Sequence, residues 1–172
     1  MLRELAPQRL LIFDPRREYA DFGRSVSRLD YVAERSAGAA FSIAFVPANE
    51  RDLARRQFSA FCSIAFERGR CVVVADELAT VTAPAWAPAG WVTLIRQGRH
   101  QAMRVFAAAQ RPTEIDGGLF SLATEIRTGR LNGRGDREKL ADVLDIDPAE
   151  IGELGPRGWI ERDMLTGKVS RG

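Results

Sequence analysis

The chain has 172 residues, 45% hydrophobic and 28% charged, with a formal net charge of +2. That length suggests one domain with a sizeable core, and so small a net charge gives no whole-chain field that would mark a nucleic-acid or membrane partner. Two cysteines and one histidine leave no metal-ligand cluster and read as buried free thiols, and with no signal peptide and no apolar run of roughly 18 residues the chain reads as cytoplasmic, without a membrane partner.

In chain order, Arg9–Asp14 is a short apolar run that stops at Asp14-Pro15. Arg16 to Leu29 is polar and reads as a loop with a short helix. Phe41–Pro47 is a second strand, ended by its proline. Asn49 is the expected N-cap of a helix in which Leu53, Phe58, Phe61, Ile64 and Ala65 recur at near-helical spacing. Gly69 is its expected C-terminal glycine. Cys71–Ala75 is a third strand, and Thr80–Gly90, with Pro84 and Pro88, an ordered loop. Trp91, Leu94 and Ile95 fit one helical face. Arg104–Gln110 is a fourth strand. A helix around Gly118–Ala123, a strand around Thr124–Leu131, a helix over Arg137–Leu144 and a turn-rich tail from Pro148 complete the reading. Short, nearly continuous apolar strands alternating with helices predict an α/β fold with a parallel sheet buried on both faces.

Among 25 basic residues only Lys139 and Lys168 are lysines. Arg96, Arg99, Arg104, Arg111, Arg127, Arg130, Arg134 and Arg137 crowd the second half. Arginine favours planar, bidentate contacts with phosphate or carboxylate. A GC-rich genome would produce the same bias.

Three features carry possible chemistry. The third strand ends in two adjacent carboxylates, Asp76 and Glu77. Ligands of a parallel sheet sit outside the carboxyl ends of its strands. There one carboxylate can hold hydrated Mg²⁺ and the other can activate a water; the same pair could instead cap a helix and fill its first turn. Arg96-Gln-Gly-Arg-His100 precedes the fourth strand. It is either a solvated helix end or a source of an arginine, Arg99, that acts on a phosphoryl group across a subunit interface. Gln110-Arg-Pro112 ends the fourth strand. Its glutamine can position a water or sense a terminal phosphate, or simply terminate the strand before proline.

Taken together, these pieces resemble the P-loop ATPases of the HerA/FtsK type, in the phage and prophage branch with DNA-packaging and zonula-occludens-toxin-like proteins. The resemblance rests on Leu10–Pro15 before Glu18-Tyr19, Val72–Glu77, Ile95–His100, and Phe106–Pro112 with Ile115-Asp116. The tail Ile151–Arg162, centred on Gly155-Pro-Arg-Gly158, resembles the family's closing segment. What it implies is a RecA-like, mostly parallel sheet with flanking helices over residues 1–172, with 148–172 as a closing tail. It also implies ATP and Mg²⁺ as cofactors, a homo-oligomer, and DNA as a partner through arginines such as Arg127, Arg130, Arg134 and Arg137. By the same resemblance Asp76 holds the Mg²⁺ water shell, Glu77 is the general base, Gln110 the phosphate sensor and Arg99 the trans-acting arginine, with Arg96 second.

The family pattern begins with a strand and a Gly-rich loop ending in Lys-Ser or Lys-Thr, whose N–H groups and lysine hold the phosphates. These 172 residues contain no such motif. Met1–Leu5 looks like the end of the helix that follows that loop. A segment upstream could carry the loop, or the chain is a non-catalytic structural or assembly protein of a phage on the same fold. Without the loop strand, the strand ending at Gln110 is expected to expose an unpaired edge. That edge favours poor solubility, oligomerisation or another sheet register.

Overall fold

Leu10-Leu-Ile-Phe13 has no polar residue to place on either side. In the computed structural model this run is the centre of a five-stranded sheet, β1 (Arg9–Phe13), and Leu11, Ile12 and Phe13 have no exposed surface. The structure describes residues 7–172; the Met1–Leu5 segment expected to end a helix lies outside them. The chain forms two compact units, Met1–Gln110 and Arg111–Gly172.

In the first unit, β2 is Arg24–Val26, β3 Phe41–Phe45, β4 Val72–Ala75 and β5 Arg104–Ala107. All are parallel, in the order β2-β3-β1-β4-β5. This confirms an α/β fold with a mostly parallel sheet and flanking helices. The segment expected to be a loop with a short helix instead contributes β2 and then helix α1 (Leu29–Arg35). A three-residue edge strand with Arg24 and Ser25 exposed carries no apolar run to reveal it.

Helix α2 (Arg51–Arg68) and helix α3 (Ala89–Gln97) connect the later strands. The cap of α2 is Glu50 rather than Asn49: its carboxylate accepts from the N–H groups of Asp52 and Leu53, both at 2.8 Å. Gly69 closes the helix at φ 55°, as a C-terminal glycine should. The α2 face places Phe58 and Phe61 on Phe13 and Phe45, and Phe58 meets Trp91 of α3 at 5.4 Å between ring centroids. Gly90 lets α3 approach α2, because a Cβ there would stand 2.1 Å from the Ser59 carbonyl oxygen. On the other sheet face, Leu10, Ile12, Val72 and Val74 pack with Tyr19, Phe22 and Phe106. Cys62 and Cys71 are free and buried, and burial raises both thiols, Cys71 to about 11. Among the described residues β5 pairs with β4 alone and is an edge strand.

The second unit is not a continuation of the parallel sheet. Helix α4 (Gly118–Leu122) and β6 (Glu125–Thr128) lead to helices α5 (Arg134–Leu144) and α6 (Pro148–Glu153), then to β7 (Ile160–Asp163) and β8 (Val169–Arg171). The strands β6-β7-β8 form a separate antiparallel sheet. The strand expected near 124–131 is therefore present but antiparallel, and the turn-rich tail holds a helix and a hairpin. Ile126, Leu140, Leu144, Ile151 and Ile160 build this unit's core. No helix among the described residues is long and apolar enough to cross a membrane.

Candidate functional site

Strands β1 and β4 are neighbours, yet the chain leaves β1 towards β2 and leaves β4 towards β5, on opposite sides of the sheet. Such a divergence opens a crevice at the carboxyl ends of the two strands. Asp14 follows β1 there and Asp76-Glu77 follow β4. Main-chain bonds fix both ends: Asp14 N–H donates to Phe45 O at 2.8 Å and Asp76 N–H to Phe13 O at 3.3 Å.

Asp14 is fully buried, and its carboxylate accepts from the N–H groups of Glu18 at 2.9 Å and Tyr19 at 3.1 Å. This folds residues 14–19 back over the crevice, with Arg17 at φ 60°. Two side chains of that loop reach the acidic pair. The Arg16 Nε stands 2.8 Å from Glu77 Oε1, and the Tyr19 phenol lies close enough to Asp76 to feel its charge. Neither Arg16 nor Asp14 stands out in the sequence as a site residue. The sequence does carry a signal for Asp14, because it ends an apolar strand just as Asp76 does.

Glu77 is 8% exposed and adopts a left-handed conformation, φ 50° and ψ 49°. Its own carbonyl accepts from the Thr80 N–H and hydroxyl. A non-glycine residue held there carries a conformational cost of about 1–2 kcal/mol. In this conformation the carboxylate is turned inward and meets the Arg16 and Gln110 side chains. Ala75 pairs with Ala107, and Ala108 N–H donates to Ala75 O. The segment 108–110 therefore continues beside Asp76 and Glu77. The Gln110 amide donates to Glu77 Oε1, the same oxygen that faces Arg16.

The resulting cleft has a volume of about 230 Å³ and is lined by Glu18, Tyr19, Asp76, Glu77, Ala108, Ala109 and Gln110. Asp76, Glu77 and Gln110 thus share one pocket. Arg99 does not. It follows α3, and Arg70 N–H bonds to Gln101 O at the amino ends of β4 and β5. A four-residue strand spans about 13 Å, so Arg96 and Arg99 lie at the far end of the sheet from this cleft. Both are exposed.

The arginines of the second unit divide by what they touch. The Arg137 guanidinium donates to the Leu131 and Asn132 carbonyls, Arg134 pairs with Glu138, and Arg127 stacks on Trp159 at 4.0 Å. Arg130 is exposed in the loop between β6 and α5.

Burial first, then the charges of Asp76, Asp14 and Glu18, hold the Tyr19 phenol up at about 12. Its folded value lies above the unfolded one, so this contribution to stability is complete below about pH 10 and is lost as pH rises towards 12. A Tyr31→Phe background leaves Tyr19 as the only phenol. Absorbance titration there should give a midpoint near 12, and Asp76→Asn should lower it. A midpoint near 10 in both backgrounds would contradict the placement of Tyr19 against Asp76.

No protein-family model matches the chain, and no curated protein sequence is similar to it. Among solved structures, the genome-packaging NTPase B204 of Sulfolobus turreted icosahedral virus 2, in complex with AMPPCP, matches with a TM-score of 0.75. The identity is 13%, covering 99% of this chain and 84% of that one. B204 described as the DNA-packaging ATPase from Sulfolobus turreted icosahedral virus matches with a TM-score of 0.72 at 12% identity, over 99% and 84% of the two chains. The N-terminal domain of zonular occludens toxin from Neisseria meningitidis reaches only 0.47 at 15% identity, over 95% and 74%, too low to carry argument. At such identities the likeness is one of fold.

Proposed function

We propose that the first unit carries the hydrolytic half of a nucleotide site in a DNA-packaging or translocating motor of the P-loop ATPase type. The observation that supports this reading best is Glu77. It is a buried carboxylate in a strained conformation, at the switch point of a parallel sheet, with Gln110, from the segment that follows the neighbouring strand, on the oxygen that faces Arg16. Glu77 is the general base for the attacking water, Gln110 senses the terminal phosphate, and Asp76 takes the metal.

The residues present suit Mg²⁺. Among the described residues no three His, Cys, Asp or Glu side chains gather into a cage. Mg²⁺ needs none, since it keeps several waters and takes one or two carboxylates with substrate phosphates. Asp76 alone would hold it through water, and the ion would neutralise charge on the phosphates. A cleft of about 230 Å³ lies below the roughly 300–1,000 Å³ of drug-sized ligand sites, so it fits the polyphosphate end rather than a whole nucleotide. On this reading the backbone cradle and lysine for the phosphates come from a segment outside these 172 residues.

Arg99 then acts in trans. Its exposed position at the far end of the sheet suits an arginine that serves a neighbouring copy, with Arg96 second, and implies a cytoplasmic homo-oligomer. Double-stranded DNA meets the assembly through its phosphates, in a salt-sensitive way. Arg130 is the favoured contact of the second unit; Arg137, tied to two carbonyls, is not. The fold shared with B204 supports the assignment to packaging motors.

The test is turnover of Mg²⁺-ATP by protein expressed from the full natural reading frame, with and without double-stranded DNA. Mg²⁺-dependent turnover that rises with DNA and falls with added salt is expected. Absence of turnover under all conditions would favour a non-catalytic assembly protein on the same fold.

A further inference from the structure

Leu165 is 81% exposed, the most of any large apolar side chain among the described residues; Trp86 follows at 46%. A single exposed leucine needs no explanation by itself. Leu165 differs because its backbone is held in one conformation. It lies in the turn between β7 and β8, where Asp163 Oδ1 accepts from the N–H groups of Leu165 at 2.8 Å and Thr166 at 3.0 Å. Gly167, at φ 72°, donates to Asp163 O, the Asp163 N–H donates to Lys168 O, and the Lys168 N–H reaches Thr166 Oγ1 at 3.3 Å. The turn thus presents Leu165 to solvent on a fixed base, and burying it against a partner would cost little backbone entropy. Lys168 stands exposed on the same turn and enters no ion pair among the described residues.

The opposite end of the hairpin is hollow. A depression of about 360 Å³ is lined in part by Glu150, Glu153, Leu154, Gly155 and Ile160. Leu154 and Ile160 give it an apolar wall, and a Cβ on Gly155 would meet nothing within 4 Å, so the space above that residue is open. Glu150 is balanced by Arg171 at 2.7 Å, whereas Glu153 is exposed and enters no ion pair among the described residues. Ile160 opens β7 and Asp163 ends it, so the hollow and the Leu165 turn lie at the two ends of one strand, about 13 Å apart. That distance exceeds the reach of a leucine side chain, and Leu165 cannot fill the hollow of its own chain.

We propose that the hollow of one copy receives Leu165 of a second copy, with the leucine against Leu154 and Ile160 and Lys168 beside Glu153. The occupant follows from shape and charge. The hollow offers an apolar wall and one unbalanced carboxylate; the turn offers an apolar side chain and one ammonium without an ion-pair partner. Because the two complementary features sit at opposite ends of one strand, the contact is heterologous and head-to-tail. Such a contact repeats into a closed ring or an open filament, unlike a two-fold dimer. A knob of one leucine and one lysine makes a small interface, so the association is weak and concentration-dependent. The proposal concerns the second unit alone and does not depend on the hydrolytic reading of the first.

The experiment uses protein from the full natural reading frame. Two singly substituted proteins, Leu165→Cys and Gly155→Cys, are mixed with oxidised glutathione as the oxidant. Cys62 and Cys71 are buried, with thiols raised by that burial, and do not compete. A disulfide joining the two different proteins is expected, with little cross-linking within either alone. Self-association is measured in parallel by sedimentation velocity over a range of concentrations. Leu165→Asp should weaken it by about tenfold or more without lowering Tm, because the side chain is exposed in the single copy. Lys168→Glu should weaken it by about threefold, and adding Glu153→Lys to that variant should restore it. No mixed disulfide, or a Leu165→Cys protein that cross-links chiefly with itself, overturns the proposal. So does a wild type that stays monomeric at every concentration, or self-association that Leu165→Asp leaves unchanged; the hollow would then belong to another ligand. None of these results bears on nucleotide binding by the first unit, and a failure to bind nucleotide leaves this contact standing.

Discussion

Glu77→Gln should lower Mg²⁺-ATP turnover by about 10²–10⁴-fold while changing ATP affinity by no more than about threefold. The magnitude is that of a positioned general base. The separation of turnover from affinity follows from the site. Glutamine keeps the volume of the side chain and can still meet the Gln110 amide through its carbonyl oxygen, so the cleft keeps its shape. What it loses is the ability to take a proton. The ion pair with Arg16 is lost as well, and because Arg16 is half exposed its guanidinium returns to water at little cost. A variant that loses affinity and turnover together would make Glu77 a binding residue. One that keeps full turnover would remove it from the chemistry.

The second large effect is structural. Phe13→Ala should destabilise the first unit by about 3–5 kcal/mol, the range for truncating a buried phenylalanine. Phe13 has no exposed surface, and its ring lies 4.6 Å from Phe58, 5.9 Å from Phe61 and 6.2 Å from Phe45. The cavity would open where α2 meets the sheet centre, and residues held by hydrogen bonds and strand pairing cannot collapse into it. The same residue supports the site, because its carbonyl receives the Asp76 N–H and Asp14 follows it. A fall in the urea midpoint, followed by tryptophan fluorescence, measures the effect. A loss below about 1 kcal/mol would mean that Phe13 is not at the packing centre of the unit.

The first unit was legible in sequence where a strand is buried on both faces. Leu10–Phe13 and Val72–Ala75 are continuous apolar runs, Phe41–Phe45 is interrupted only by Ser42, and each is a strand of the parallel sheet. Strand β2 was not legible, because an edge strand of three residues buries too little to need an apolar pattern. The hairpin of β7 and β8 was hidden for a related reason. Ile160 points into the core, but Glu161, Arg162 and Asp163 follow without alternation, and the stacking of Arg127 on Trp159 is a contact between strands distant in sequence. The N-cap of α2 shifted by one residue because the longer Glu50 side chain can fold back onto two N–H groups.

Legibility of the site followed the same physics. Asp76 and Glu77 stood out because an apolar strand ends in them, and the register of β4 with β5 brings Gln110 alongside. The pairing of Arg16 with Glu77 spans two strands and a loop, so no spacing along the chain reports it. Arg99 was legible as a motif but not as a position. The direction of α3 puts it at the amino ends of the strands, away from the cleft.

The central claim is that this cleft receives the phosphates of a nucleotide. Calorimetric titration of Mg²⁺-ATP into protein from the full natural reading frame tests it most directly. A dissociation constant in the micromolar range, about −8 kcal/mol, is expected, weakened when Asp76 is replaced by asparagine. No detectable binding at millimolar nucleotide, or binding indifferent to Mg²⁺ and to Asp76→Asn, would contradict it.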